Sequence, residues 1–187
     1  MAEPAAATPD RSKAPSCEAL SQGPTSSRAV RGWPRFSTAL GLMGLAITLH
    51  NMEEWRMASP LAQKTPPWAM MQVGWVVVTL VPLALFTWSI ARPQSRWASR
   101  LAVWAASIYF ANAFLPHLLL FTLSGNYAPG LVTAALFLTT LPLLVVVTAV
   151  REDRLTTREA VACVVAGFLS VGPAIFLVIR AVSLFVH

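Results

Sequence analysis

Charged side chains are scarce in this sequence. Asp, Glu, Lys and Arg together make up 12% of the 187 residues, whereas hydrophobic residues make up 56%. A soluble domain carries roughly twice that share of charge, so the composition excludes an ordinary soluble protein. The net charge of +6 does not indicate nucleic-acid binding, because the basic residues cluster between long apolar runs rather than on a polar surface.

Cysteines are equally few. Cys17 falls in a polar tail and Cys163 in an apolar run, a separation that predicts no disulfide. The sequence has no CxxC pair, which excludes the common cysteine-based redox and zinc motifs. A recurring alternation of apolar and polar residues over about 10 positions is also missing, so we expect no membrane-spanning sheet.

Residues 1–35 are rich in Ala, Pro, Ser and charged residues, with little that would build a core. This composition predicts a disordered cytoplasmic tail. A secretory signal peptide is the alternative, because the segment from Phe36 to Leu49 resembles an apolar h-region. The preceding segment is too long for such a peptide and no small-residue cleavage site follows, so we expect the chain to keep this segment.

Five apolar runs are each long enough to cross a bilayer, which takes about 20 residues at the helical rise. Residues 36–187 are therefore predicted to form one all-α domain, an integral membrane bundle of five transmembrane helices. Prolines inside the runs do not argue against helices, because neighbouring helices satisfy the carbonyls that they free. The predicted spans are residues 36–55, 68–90, 97–123, 129–150 and 159–184.

Arginines are concentrated at one end of the predicted bundle. They precede the first span and fill the second and fourth loops, whereas the first and third loops have few basic residues or none. Because cytoplasmic loops are enriched in Lys and Arg, the N-terminus is predicted to be cytoplasmic and the C-terminus extracytoplasmic, in the plasma (inner) membrane. The arginines are Arg28, Arg31, Arg35, Arg92, Arg96, Arg100, Arg151, Arg154 and Arg158.

The first span ends in the polar sequence His50-Asn51-Met52-Glu53-Glu54. Offsets of three and four residues return to the same face of a helix, so the imidazole and the two carboxylates are predicted to form one cluster. Ionisable groups inside a bilayer cost about 3 kcal/mol or more each and usually mark function. The structural alternative is that the carboxylates reach water and the imidazole packs in the core.

The third span carries a second polar set, Tyr109, Asn112 and His117. At the helical rise, His50 lies about 7–8 Å and His117 about 9 Å inside the same outer boundary. Both spans are odd-numbered and end outside, so we expect the two histidines in one leaflet. If the two helices pack together, one buried polar site results.

These residues resemble the signature of the HXXEE-motif membrane proteins, an uncharacterised prokaryotic group. The resemblance covers residues 36–150. It implies a polytopic membrane protein with a shared polar site, and it implies no particular reaction. The residues that carry it are His50-x-x-Glu53-Glu54, Asn112, His117, the turn Tyr127-Ala128-Pro129-Gly130 and Thr133.

The first hypothesis for function is an intramembrane enzyme that isomerises or cyclises a lipid or isoprenoid by acid–base chemistry. A carboxyl group partly desolvated by lipid holds a proton near neutrality while its neighbour stays ionised, which suits protonation of an alkene. Aromatic faces nearby would stabilise a developing positive charge. The predicted catalytic residues are His50, Glu53, Glu54 and His117, and the predicted substrate-binding residues are Trp75, Trp104, Tyr109, Asn112 and Tyr127.

Two other uses of the same residues remain open. His50, Glu53, Glu54 and His117 suit zinc, iron or manganese, and such an ion would activate water for hydrolysis or oxidise a lipid. Alternatively, the cluster relays protons or binds a cation in a non-enzymatic transporter or membrane scaffold. The expected partners are the lipid bilayer and an apolar small molecule, with no nucleic acid; the sequence indicates no oligomeric state.

Overall fold

The computed structural model of the chain describes residues 33–62 and 68–183. These residues form five helices and no strand, which confirms the all-helical prediction. The predicted tail lies outside the described residues up to residue 32. The helices are α1 (Phe36–Ala62), α2 (Trp68–Ala91), α3 (Arg96–Ser124), α4 (Leu131–Arg151) and α5 (Thr157–Ser183).

Two of the helices contain wider turns. Residues Ala113–Leu119 of α3 form a π-helical segment that contains Pro116, and residues Ala134–Leu138 of α4 form another. Segments of this kind are rare in proteins, and many of those that are known lie at functional sites. The segment in α3 contains His117, so the widened turn lies within the predicted polar site.

Three of the described helices, α2 to α4, are long and apolar enough to cross a membrane. Their mean hydropathies are 2.0 over Val73–Ala91, 1.5 over Arg96–Ser124 and 2.3 over Leu131–Arg151. The polar sequence from His50 to Glu54 makes α1 less apolar than these three. Helix α1 also continues past the predicted end of the first span at Trp55 to Ala62, because a helix does not have to end where hydropathy falls.

One face of α1 is buried from Phe36 to His50. Phe36, Leu40, Met43 and Ile47 are at most 1% exposed, and His50 continues the same series at 0%. Their spacing of three and four residues is that of a single helical face. Because α1 packs against α2 and α4, the helix that carries the motif is held on two sides, and its last buried turn presents His50 to the interior.

Proline in α2 frees a backbone carbonyl that α3 then uses. Pro82 has no N–H to donate to the carbonyl of Val78, four residues earlier. The hydroxyl of Tyr109 donates a hydrogen bond to this carbonyl instead. Such compensation is what a proline inside a membrane helix requires, since no water is available in the hydrocarbon. The bond also fixes the position of α3 relative to α2.

The end of the bundle opposite the motif is capped by acidic residues. Glu152 accepts a hydrogen bond from the backbone N–H of Phe36 at 2.6 Å, at the start of α1. Glu159 accepts one from the backbone N–H of Thr156 at 2.7 Å, and its own N–H donates to the Thr156 hydroxyl, which makes a capping box at the start of α5. Both carboxylates thus satisfy helix N-termini.

Candidate functional site

The carboxylate of Glu54 lies between two imidazoles. Its Oε1 atom is 3.4 Å from Nε2 of His50 and 3.1 Å from Nε2 of His117. The two rings meet edge to face, with centroids 4.9 Å apart. Both histidines are buried, with side chains 1% and 6% exposed, whereas that of Glu54 is 22% exposed. Helices α1 and α3 therefore bring their ionisable groups to one point at the edge of the core.

Asn112 joins the two imidazoles from the α3 side. Its Nδ2 atom is 3.4 Å from Nε2 of His50 and 3.4 Å from Nε2 of His117. The Nδ1 atom of His117 is buried and has no hydrogen-bond partner among the described residues. The Nε2 atoms of both histidines thus face the same small volume beside Glu54, whereas Nδ1 of His117 has no described hydrogen bond.

Glu53 points to a different set of groups. Its Oε2 atom accepts hydrogen bonds from the backbone N–H of Thr133 at 3.1 Å and from the Thr133 hydroxyl at 2.7 Å. Its Oε1 atom accepts one from the hydroxyl of Tyr127. The Thr133 hydroxyl oxygen lies 2.9 Å from Nδ1 of His50. Glu53 thus reaches His50 only through Thr133, on the side of the ring opposite Glu54.

The turn before α4 lies directly against the cluster because it contains glycine. Gly130 has a φ of +83°, and a Cβ atom there would come within 2.7 Å of Cε1 of His50 and 2.8 Å of Cγ of Glu54. A side chain would therefore both strain the backbone and displace the site. Glycine lets the loop close over the two motif residues and places Thr133, three residues later, beside His50.

Trp75 of α2 completes the contacts of Glu54. Its indole N–H donates to Oε2 of Glu54 at 3.3 Å, and its ring stacks on that of Trp55 at 5.7 Å. The two oxygens of Glu54 therefore have distinct partners, the indole on one side and the imidazoles on the other. The indole restricts rotation of the carboxylate about its last bond.

The predicted site residues divide into three groups. The structure brings His50, Glu54, His117, Asn112 and Trp75 together. Glu53 and Tyr127 form a neighbouring pair linked to the cluster through Thr133. The other two make contacts elsewhere: Tyr109 bonds to the carbonyl of Val78 and to Asn51, and Trp104 donates to Ser170 of α5 at 3.1 Å.

The two outlying placements have physical reasons. The hydroxyl of Tyr109 donates to the carbonyl that Pro82 frees. Loss of this hydrogen bond would leave a buried polar group unpaired. Trp104 lies thirteen residues before His117 in the sequence, about 20 Å along the helix at the standard rise. Its indole donates to Ser170 of α5, a helix in which Gly167 permits a close approach to α3. Neither side chain has a described contact with the two histidines or Glu54.

Thr133 and Gly130 were not predicted as site residues. Threonines are common in membrane helices, where they usually bond to their own backbone, and Thr139 does so here. The resemblance to the HXXEE-motif family singles out Thr133 among them, but it gives the residue no role. The signal for Gly130 was stronger, because a Pro-Gly pair before a helix indicates a turn with a positive φ at glycine. The third residue missed is Asn51, which donates to Thr79 at 2.6 Å between α1 and α2.

His50, Glu54 and His117 form a group that could hold a metal ion. Each offers one ligand atom, and the three atoms lie within 4.8 Å of one another. Two imidazoles with one carboxylate are a ligand set of catalytic zinc sites, which leave a further position open for water or substrate, and they also suit iron and manganese. Glu53, the fourth predicted ligand, is not part of this group, because its oxygens are occupied by Thr133 and Tyr127.

Comparison with known proteins adds one relationship. No curated protein and no solved structure matches the chain. The family model described as a protein of unknown function with HXXEE motif matches residues 41–147. The match includes the motif of α1, both π-helical segments, the Gly130 turn and the described residues that contact the cluster. The chain therefore belongs to the family of proteins with the HXXEE motif.

Proposed function

We propose that the protein is an intramembrane enzyme that transfers protons to and from an apolar, lipid- or isoprenoid-type substrate at Glu54 and the two histidines. The observation that carries this proposal is the position of Glu54 Oε1 within 3.4 Å of both imidazole Nε2 atoms, in a site where the histidines are buried. A carboxylate and imidazoles that share one proton supply both an acid and a base. Isomerisation and cyclisation of an alkene need these two functions.

The surroundings of the site support a substrate that arrives from the bilayer. Large apolar side chains are exposed along the helices that carry it, among them Leu45, Leu49 and Met52 on α1 and Leu119 and Leu120 on α3. A soluble protein rarely exposes so continuous an apolar surface. The stacked Trp55 and Trp75 rings lie beside Glu54 and offer a flat apolar surface for a prenyl or acyl chain.

The proposed topology is that of the sequence analysis: five spans, with the arginine-rich end in the cytoplasm and the motif end outside, in the plasma membrane. Helices α2 to α4 have the length and hydropathy of membrane spans. The positions of Arg92, Arg96, Arg100, Arg151 and Arg154, all at the end opposite the motif, favour this orientation. The site then lies near the outer headgroups.

Metal-dependent hydrolysis or oxidation of a lipid is the second candidate function. It is favoured by the His50, Glu54 and His117 ligand atoms within 4.8 Å of one another. A bound zinc, iron or manganese ion would supply an activated water or an oxidising centre. In this case Glu54 serves as a ligand rather than as the acid, and Asn112 lies close enough to orient a bound water.

One pair of measurements tests the function and separates the candidates. Lipids and terpenoids are profiled from cells that express the wild type, His50→Ala, His117→Ala or, as a matched control, His187→Ala. We expect one product that is present with the wild type and the control and absent with the other two. Identical profiles in all four strains would overturn both candidates. Metal analysis of the purified wild type then decides between the two candidates. Near-stoichiometric zinc, iron or manganese supports the metal-dependent enzyme, and a protein without metal supports the proton-transfer enzyme.

A further inference from the structure

The two adjacent glutamates of the motif have different partners. Glu54 contacts both imidazoles directly, whereas Glu53 contacts the backbone and hydroxyl of Thr133 and the hydroxyl of Tyr127. Three donors converge on the Glu53 carboxylate, and an ionised carboxylate is an acceptor only. Glu53 therefore affects the rest of the site by accepting hydrogen bonds. Of its donors, the Thr133 hydroxyl is the one that also contacts His50.

The direction of each hydrogen bond in this chain follows from counting protons. The Thr133 hydroxyl has one proton and lies 2.7 Å from Glu53 Oε2 and 3.2 Å from the carbonyl of Gly130. The shorter bond to a charged acceptor is the stronger, so the proton goes to Glu53. The hydroxyl oxygen then has only lone pairs to offer His50 Nδ1, 2.9 Å away, and Nδ1 must be the donor.

A neutral imidazole with its proton on Nδ1 has a bare Nε2. In His50 this atom faces Glu54 Oε1 at 3.4 Å, so two acceptors lie opposite each other, beside the Asn112 amide and Nε2 of His117. Such a pair attracts a positively charged species between its members, either a proton or a metal ion. The tautomer of His50 therefore decides whether the centre can accept a cation.

We propose that Glu53 and Thr133 are positioning residues that hold His50 in the Nδ1-protonated tautomer, with Nε2 directed at the point shared by Glu54 and His117. The inference deepens the proposed function and rests on it only for its effect on activity. It also gives the motif a physical meaning. The second of its glutamates acts at the centre, and the first orients the histidine through a threonine supplied by another helix.

Nitrogen NMR of the full-length protein labelled with ¹⁵N-histidine in lipid bilayers tests this assignment directly. The chain has three histidines, so the spectrum is simple, and His117→Ala and His187→Ala assign the signals. Samples are treated with a chelator and studied at a pH at which the rings are neutral. We expect a protonated-type signal for His50 Nδ1 and a bare-type signal for Nε2. The reverse pattern in the wild type would overturn the proposal without any variant.

Substitutions then test whether Thr133 causes the tautomer. Thr133→Val removes the hydroxyl at nearly constant shape, and Thr133→Ser keeps it. Thr139→Val, which removes a hydroxyl bonded only to its own helix, is the matched control. We expect the His50 signals of Thr133→Val to show a mixture of tautomers or the Nε2-protonated form. Thr133→Ser and Thr139→Val should retain the wild-type pattern, and an unchanged pattern in Thr133→Val would contradict the proposal.

Groups that orient a functional histidine typically contribute about 10–100-fold to activity or metal affinity. We expect a loss of that size in Thr133→Val and Glu53→Gln, with recovery in Thr133→Ser. If Thr133→Val does not fold, the wild-type spectrum and Glu53→Gln still decide the question. The two proposals fail separately: a cell extract without any product that depends on His50 contradicts the enzyme, whereas a wrong tautomer contradicts only the positioning pair.

Discussion

Two pairs of acidic residues lie at opposite ends of the bundle and have different partners. Glu152 and Glu159 accept hydrogen bonds from helix N-termini and from the guanidinium groups of Arg154 and Arg100. Glu53 accepts hydrogen bonds from Thr133 and Tyr127, and Glu54 accepts one from Trp75 and lies against two imidazoles. The first pair has partners with fixed charge. Within the second pair, Glu54 lies against two imidazoles, a group that can act as acid or base, whereas Glu53 accepts from hydroxyl groups and a backbone N–H.

The partners of a carboxylate in this protein thus indicate whether it stabilises the fold or can take part in proton transfer. A guanidinium partner or a helix N-terminus stabilises the ionised form of a carboxylate, which suits a cap. An imidazole partner lets the proton move between the two groups. Substitution at the two ends should therefore have different consequences for activity.

The largest effect is expected for Glu54→Gln. Removing one acid or base from a proton-transfer centre typically lowers the rate by about 10²–10⁴-fold. Glutamine keeps the shape and can still accept from Trp75, so helix content should not change. Glu159→Gln is the matched control, and it should leave formation of the product unchanged, because the polar contacts described for that residue are with Arg96, Arg100 and Thr156, at the other end of the bundle. Equal loss in both variants would erase the distinction between the two ends.

A smaller effect, on stability as well as activity, is expected for Gly130→Ala. Alanine at a left-handed position costs about 1–2 kcal/mol, and its Cβ would come within 2.7 Å of His50 Cε1. Gly125→Ala is the control, since Gly125 also has a positive φ, +69°, but nothing within 4 Å of its Cβ. We expect both variants to lose stability in thermal unfolding and only Gly130→Ala to lose activity. Full activity in Gly130→Ala would show that the turn does not hold the site.

The smallest effect is expected in the ionisation of Tyr127, which lies in the loop before α4. Its hydrogen bond to Glu53 raises the pKa of Tyr127 to about 12. Since the folded value is the higher one, the stabilising effect is complete below the ordinary value of about 10. It is lost as the pH rises through about 12. Phenolate absorbance should show ionisation near pH 12 in the wild type and at lower pH in Glu53→Gln. Ionisation near pH 10 in both proteins would contradict the contact.

Much of the site could be predicted from helical geometry. The spacing of His50 and Glu54 puts both on one face, and α1 buries that face. The estimate of depth from the rise per residue predicted that His50 and His117 lie at the same level, and the two rings are in contact. These predictions depend only on the regular geometry of one helix at a time and on the alternation of span direction.

The predictions that differ from the structure concern packing between helices. Glu53 and Glu54 are adjacent in sequence, and nothing local indicates that one meets imidazoles and the other a threonine of α4. Tyr109 was predicted as a site residue, yet its hydroxyl donates a hydrogen bond to the carbonyl that Pro82 frees in α2. Both outcomes depend on which helix lies beside which face, information that a single sequence does not contain.

Composition, helical period and a motif within one segment are enough to predict the helices, the apolar surface and the family. Which atoms come into contact depends on how the helices pack. This packing placed Thr133 between the carboxylate of Glu53 and the imidazole of His50, and it let Gly130 bring the α4 turn against them. The physical reason is that hydrogen bonds act over about 3 Å. A prediction accurate to one helical turn therefore locates the region of the site but does not identify the hydrogen-bond partners within it.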